Sequence, residues 1–314
     1  MTADPVTVEL SELTSSYLPE AVPYAVLAPA GYAGTPSPLC ILLMGGGGSR
    51  QNLVDMQPLL ERWWSEGALP PMVFATPTPG MSYYVEDPAE GVRWESFLAD
   101  EFAPHLRKNF NTAATAIAGI SMGGYGALKT AFSHPSAFHA VAAMQPMLEP
   151  GLRDADIGAR NRIHHIAGGP PRLIGPGRDP ALFEVNQPAS LARTHAASIR
   201  ESGLAIYVDA GDEDLVNAHD GAEFLHRVLW DLDLSHEYHL VRGADHGGPT
   251  MHPRMQAMFS WVAKVMYPAD SESQTGPTSR EFLRTLRDQL QPLRDQAAAA
   301  DPTTLRRFGI LPKT

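Results

Sequence analysis

Short apolar runs alternate along the chain with longer stretches whose apolar residues recur at helical spacing. The runs at 24–28, 39–44, 72–76, 114–118, 140–144, 204–209 and 237–241 predict strands. Most lack strict apolar–polar alternation, which suits strands covered on both faces of a parallel sheet. Between them, 52–66, 93–110, 122–133, 218–230 and 253–266 predict helices. This order predicts an α/β fold with a mostly parallel central sheet flanked by helices.

Two regions depart from the alternation. Residues 149–188 are rich in Gly, Pro, Arg and His and interrupt the pattern between two strands. A connection this long is expected to be functional, here an insertion over the active site. After Tyr267, residues 269–277 read as a linker and 279–298 as a helix, with Phe282, Leu286, Leu290, Leu293 and Ala297 on one stripe. The expected division is a main domain over 1–267 and a linker with a helical extension over 268–314. Such a helix packs on its own domain or serves as a dimerisation arm, so a homodimer through the extension is one of two readings.

Composition narrows the partners. The chain has 314 residues, 44% of them hydrophobic, enough for one sizeable core. A net charge of −11 argues against nucleic acid as the main partner. The single cysteine, Cys40, excludes an intrachain disulfide framework and a multi-cysteine metal site. It lies in an apolar run and reads as a core thiol. The N-terminus lacks a basic segment followed by an apolar one, and no apolar stretch approaches the length of a membrane span. A cytoplasmic protein without membrane contact is expected.

The chemistry centres on Gly119-Ile120-Ser121-Met122-Gly123, a G-x-S-x-G pattern. It follows a predicted strand and precedes a predicted helix. A sharp strand-to-helix turn would project the Ser121 hydroxyl above the sheet, with small neighbours leaving room for it. The helix N-terminus favours developing negative charge. An oxyanion needs backbone donors. Met122 N–H is one candidate. Gly46 is the preferred second, and Gly47 the next, in the glycine-rich loop 43–49 after an earlier strand. That loop lacks the G-K-[ST] ending of a phosphate-binding loop.

Ser121 needs a base and an orienting carboxylate, in the chain order Ser, acid, His. Of the 12 histidines, His246 stands in a glycine-rich loop after the last strand. The acid is sought after the preceding strand, where Asp212, Glu213 and Asp214 compete and spacing leaves the choice open. His164 and His165 are adjacent and lack a third ligand, so no zinc site is expected. Met44, Tyr83 and Tyr84 are candidate pocket residues, with packing roles as the alternative for the tyrosines.

Over about 20–267 the sequence resembles the esterase D / S-formylglutathione hydrolase-like superfamily of esterases. The resemblance is carried by the loop 43–49, Tyr83-Tyr84, Trp94-Glu95-Ser96-Phe97, GISMGGYG at 119–126 and Asp245-His246-Gly247. It implies the α/β-hydrolase fold. Residues 209–214 resemble that family's D-x-G-x-x-D, whose final Asp is catalytic, and this selects Asp214. The expected function is a serine carboxylesterase acting on a small-molecule ester through an acyl-enzyme, without metal or organic cofactor. A thioesterase or acyltransferase using the same triad is the alternative, and a noncatalytic binding protein is a more remote one.

Overall fold

The computed structural model describes residues 6–32, 36–162, 168–174 and 178–267, with 285–286, 288–292 and 295–296 further on. Its strands are β1 (Thr7–Leu13), β2 (Val22–Ala28), β3 (Ser37–Leu43), β4 (Val73–Pro77), β5 (Glu86–Asp87), β6 (Val92–Arg93), β7 (Thr112–Ile120), β8 (Ala140–Met144), β9 (Ala205–Gly211) and β10 (Glu237–Val241). The helices are α1 (Arg50–Asp55), α2 (Gln57–Ser65), α3 (Trp94–Ser96), α4 (Ala103–Asn109), α5 (Met122–Ser133), α6 (Pro180–Asn186), α7 (Pro188–Thr194), α8 (Ala196–Ser202), α9 (Ala218–Asp231) and α10 (Met251–Met266).

Eight strands form one sheet in the order β1-β2-β4-β3-β7-β8-β9-β10. All pairings from β4 to β10 are parallel, while β1–β2 and β2–β4 are antiparallel. The α/β class with a mostly parallel sheet is therefore observed. β1 was not expected. It is an edge strand with no buried residue, so its sequence lacks the apolar run that marks the central strands.

Alternate side chains of the central strands enter two cores. Leu39, Ile41 and Leu43 join the α5, α7 and α9 side, whereas Cys40 and Leu42 join the α2 and α10 side. On the latter, Phe74 and Phe259 meet edge-on with ring centroids 4.9 Å apart. Burying each such ring contributes about 1.5–3 kcal/mol. Burial also pushes the Cys40 thiol well above its ordinary pKa.

Proline divides one expected helix, and a second runs unbroken with a π-helical distortion. The stretch 52–66 divides at Met56 because Pro58 opens α2. The stretch 93–110 becomes α3, a π-helical turn over Phe97–Phe102 and α4, with Pro104 in the first turn of α4. Within 149–188, α6 and part of the preceding loops are described; His164 and His165 lie outside the described residues.

The chain divides into two units, Met1–Tyr267 and Pro268–Thr314. In the second, 285–286, 288–292 and 295–296 are helical, and Leu286 and Leu290 are exposed. The linker 269–277 and Phe282, Leu293 and Ala297 lie outside the described residues. Among the described residues no helix is long and apolar enough to cross a membrane.

Candidate active site

The carboxyl ends of adjacent parallel strands converge, which is where open α/β sheets build their sites. β7 ends at Ile120, directly before Ser121, the loop after β9 carries Asp214, that after β10 carries His246, and β3 runs into 45–48. Ser121 has φ 58° and ψ −120°, a conformation that costs about 1–3 kcal/mol for a residue with a side chain. The surroundings enforce it. Ser121 N–H donates to the Met144 carbonyl at 3.0 Å, and the Ser121 carbonyl accepts from Tyr125 (3.1 Å) and Met147 (3.0 Å). A Cβ on Gly123 would lie 2.0 Å from the Leu43 carbonyl oxygen, so only glycine permits this close turn.

Nε2 of His246 lies 2.8 Å from Ser121 Oγ, and Nδ1 lies 2.7 Å from Asp214 Oδ2. The other Asp214 oxygen accepts from Val216 N–H at 2.9 Å and Ala218 N–H at 3.4 Å. Burial raises the Asp214 pKa, but hydrogen bonding and charge from His246, with those two N–H groups, outweigh it and leave the carboxyl below its ordinary value. A carboxylate can only accept, so Nδ1 carries the imidazole proton and Nε2 presents a lone pair to the serine hydroxyl. Asp212 is turned elsewhere. It accepts from Gly243 N–H at 2.6 Å and pairs with Arg242 at 3.1 Å.

The glycine loop lies against the serine: a Cβ on Gly45 would be 3.4 Å from Ser121 Cβ. Among the described residues the Gly46 N–H has no acceptor. Met122 opens α5, so no intrahelical carbonyl can take its N–H. Gly47 differs from the expectation for a donor, because its N–H is engaged by the Gly80 carbonyl at 3.1 Å. Tyr84, expected as a pocket residue, is fully buried, and its hydroxyl donates to the Met44 carbonyl at 3.1 Å. It braces the glycine loop from below and has no surface for a ligand. Met44 and Tyr83 are almost as buried. Tyr83 packs edge-on to Tyr125 at 6.0 Å, beside the buried Glu149–Arg178 ion pair of 2.5 Å.

Four further polar residues, Asp245, Asp209, Arg254 and Gln145, support the histidine loop; the last two belong to no sequence motif. Asp245 Oδ1 accepts from Leu215 N–H and His246 N–H, at 2.9 and 2.6 Å, tying the two loops together. Arg254 of α10 donates to the Asp245 carbonyl at 3.0 Å and to Asp209 at 2.6 Å. The Gln145 amide donates to the His246 carbonyl. The available signals were a charge within the apolar stripe of α10 and an amide at the end of an apolar strand.

A groove of about 780 Å³ lies beside the 79–82 turn, lined by Val85, Trp94, Pro79, Pro170 and neighbours, with none of Ser121, Asp214 or His246 in its wall. No group of three His, Cys, Asp or Glu side chains placed to hold a metal ion occurs among the described residues.

Solved structures share this architecture. A ferulic acid esterase is 19% identical with TM-score 0.67, covering 85% of this chain and 100% of its own. An S-formylglutathione hydrolase from Agrobacterium tumefaciens is 17% identical with TM-score 0.65, over 85% and 98%. A fluorophosphonate-binding serine hydrolase F from Staphylococcus aureus is 16% identical with TM-score 0.65, over 82% and 99%. These likenesses establish the α/β-hydrolase fold. No curated protein matches the chain by sequence. Residues 15–266 match the family described as "Putative esterase". That match runs through the glycine loop, the Ser121 turn and the Asp214 and His246 loops, and the chain belongs to this esterase family.

Proposed function

We propose that this esterase hydrolyses carboxylic esters of small molecules through Ser121, His246 and Asp214. His246 Nε2 takes the hydroxyl proton as Ser121 Oγ attacks the ester carbonyl carbon. The carbonyl oxygen becomes negative and is met by the N–H groups of Met122 and Gly46. Collapse breaks the bond to the alcohol oxygen, and the imidazolium returns its proton to the departing alcohol. Water then attacks the acyl-enzyme, again losing its proton to His246, and collapse releases the acid and restores Ser121. Asp214 keeps the imidazole in the required tautomer and offsets its charge when protonated.

The observation that carries this reading is the unbroken line of hydrogen bonds, 2.8 Å and 2.7 Å, from Ser121 Oγ through the imidazole to Asp214. The described parts of 149–188 belong to the same reading, as an insertion over the site. In support, a Cβ on Gly169 would lie 2.9 Å from the Tyr83 ring, and Tyr125 donates to the Asn186 carbonyl at 2.7 Å.

Turnover of an aryl acetate, its thioester and the ester with an added alcohol acceptor tests the assignment. The account expects free acid as the main product, preference for the oxygen ester and no turnover by Ser121→Ala. Product trapped mainly as transferred ester would make the chain an acyltransferase, and preference for sulfur would make it a thioesterase.

A further inference from the structure

Gln145 directly follows β8 and is nearly inaccessible, at 1% exposure. Its backbone lies in the left-handed region, φ 41°, where side chains other than Asn and Asp are uncommon. Its N–H is committed to the Asp209 carbonyl at 2.7 Å. Its Nε2 donates to the His246 carbonyl, while its Oε1 is buried without a hydrogen-bond partner among the described residues. Glycine would suit the backbone at this position, and an apolar side chain would suit the burial. Among the described residues, the one hydrogen bond made by this side chain is the bond to His246.

That carbonyl needs an anchor. Gly247 and Gly248 follow it, the second at φ 74°, and a Cβ on either would meet nothing within 4 Å. Packing therefore places little restraint on the chain leaving the histidine. The peptide before it is already fixed by Arg254 and by the Asp245 carboxylate. We infer that Gln145 is a positioning residue for His246, its amide clamping the His246–Gly247 peptide against the glycine hinge so that the imidazole stays aligned with Ser121 and Asp214. This rests on the reading of His246 as the general base.

The full chain carrying Gln145→Met, which keeps length and apolar volume without the donor, tests the inference. Gln145→Gly, which removes the donor and also relaxes the backbone, is its companion. Both are compared with the parent and Ser121→Ala for kcat and KM on an aryl acetate and for thermal unfolding. A small misalignment of a reacting group can cost about 100-fold, so the expected fall in kcat is about 10- to 100-fold in both variants. KM should stay within about twofold, since no substrate contact is removed. Gln145→Gly should unfold cooperatively and at or above the temperature of Gln145→Met, since its backbone strain is relieved, while remaining as slow, a separation that a purely structural role does not produce. Parental kcat in either variant overturns the inference. So does a loss of kcat that follows a loss of cooperative unfolding in both. Turnover surviving in Ser121→Ala is a different failure: it removes the triad reading itself, and the inference with it.

Discussion

The Tyr84 hydroxyl donates to the Met44 carbonyl at 3.1 Å, joining the tight 82–85 turn to the start of the glycine loop. Tyr84 is fully buried at φ 47°, and a Cβ on Gly126 of α5 would lie 2.4 Å from its ring. Burial holds its phenol well above the ordinary pKa, so it donates throughout the working range. In Tyr84→Phe the carbonyl loses this partner, at a cost of about 1–3 kcal/mol. Urea unfolding should report that loss. Removing a whole oxyanion donor costs about 100-fold or more in kcat, and a weakened brace should cost less, with KM nearly unchanged.

Asp214 and Asp212 are two residues apart and face different partners. Asp214→Asn should lower kcat by about 10⁴-fold, because the amide favours the wrong imidazole tautomer. Asp212→Asn can still accept from Gly243 and should cost far less. Steady-state kinetics of the two variants at one pH checks the order.

A second buried pair concerns stability. Lys129, wholly buried, lies 2.7 Å from Glu95, and His134 approaches the other carboxylate oxygen at 3.5 Å. Burial raises the Glu95 pKa, but the charge and hydrogen bonds of Lys129 and His134 outweigh it, bringing the carboxyl to about 2 from an ordinary 4.5. A folded pKa below the unfolded one stabilises the fold above about pH 4.5, and this contribution is lost as pH falls toward 2. Glu95→Gln should destabilise by about 3–5 kcal/mol at neutral pH, because it leaves Lys129 buried without its counter-charge. The difference from the parent should shrink in urea titrations at progressively lower pH.

The elbow makes a steric prediction. In Gly123→Ala the new methyl meets backbone at 2.0 Å, which neither side can yield cheaply. A loss above about 4 kcal/mol is expected, or failure to fold. Gly158→Ala, where a Cβ meets nothing within 4 Å, should remain within about 0.5 kcal/mol. Thermal melts of the pair distinguish a steric requirement at 123 from general intolerance of substitution.

The central strands were legible because burial on both faces leaves an apolar run, as in β3, where all seven residues are buried. β1 was not, since an edge strand with one face in solvent carries a weak pattern. Ser121 could be singled out because glycines crowd around it for steric reasons that survive in sequence, and His246 because its loop carries glycines in left-handed backbone at 243 and 248. Asp214 and Asp212 could not be separated by spacing, since the choice depends on which way each side chain turns within one loop. Gly47 stood next after Gly46 as a donor, and the group that engages its N–H, the Gly80 carbonyl, lies 33 positions later in the chain. Gln145 offered only an amide at the end of an apolar strand, because its partner lies 101 residues away.

The central claim is that one serine is made nucleophilic by an imidazole aligned on a carboxylate. Its most direct test is the mass of the intact protein after fluorophosphonate treatment, followed by peptide mapping. The account predicts a single adduct on Ser121, formed far more slowly in Asp214→Asn and absent in Ser121→Ala. An adduct on another residue, or none in protein that still turns over an ester, would contradict it.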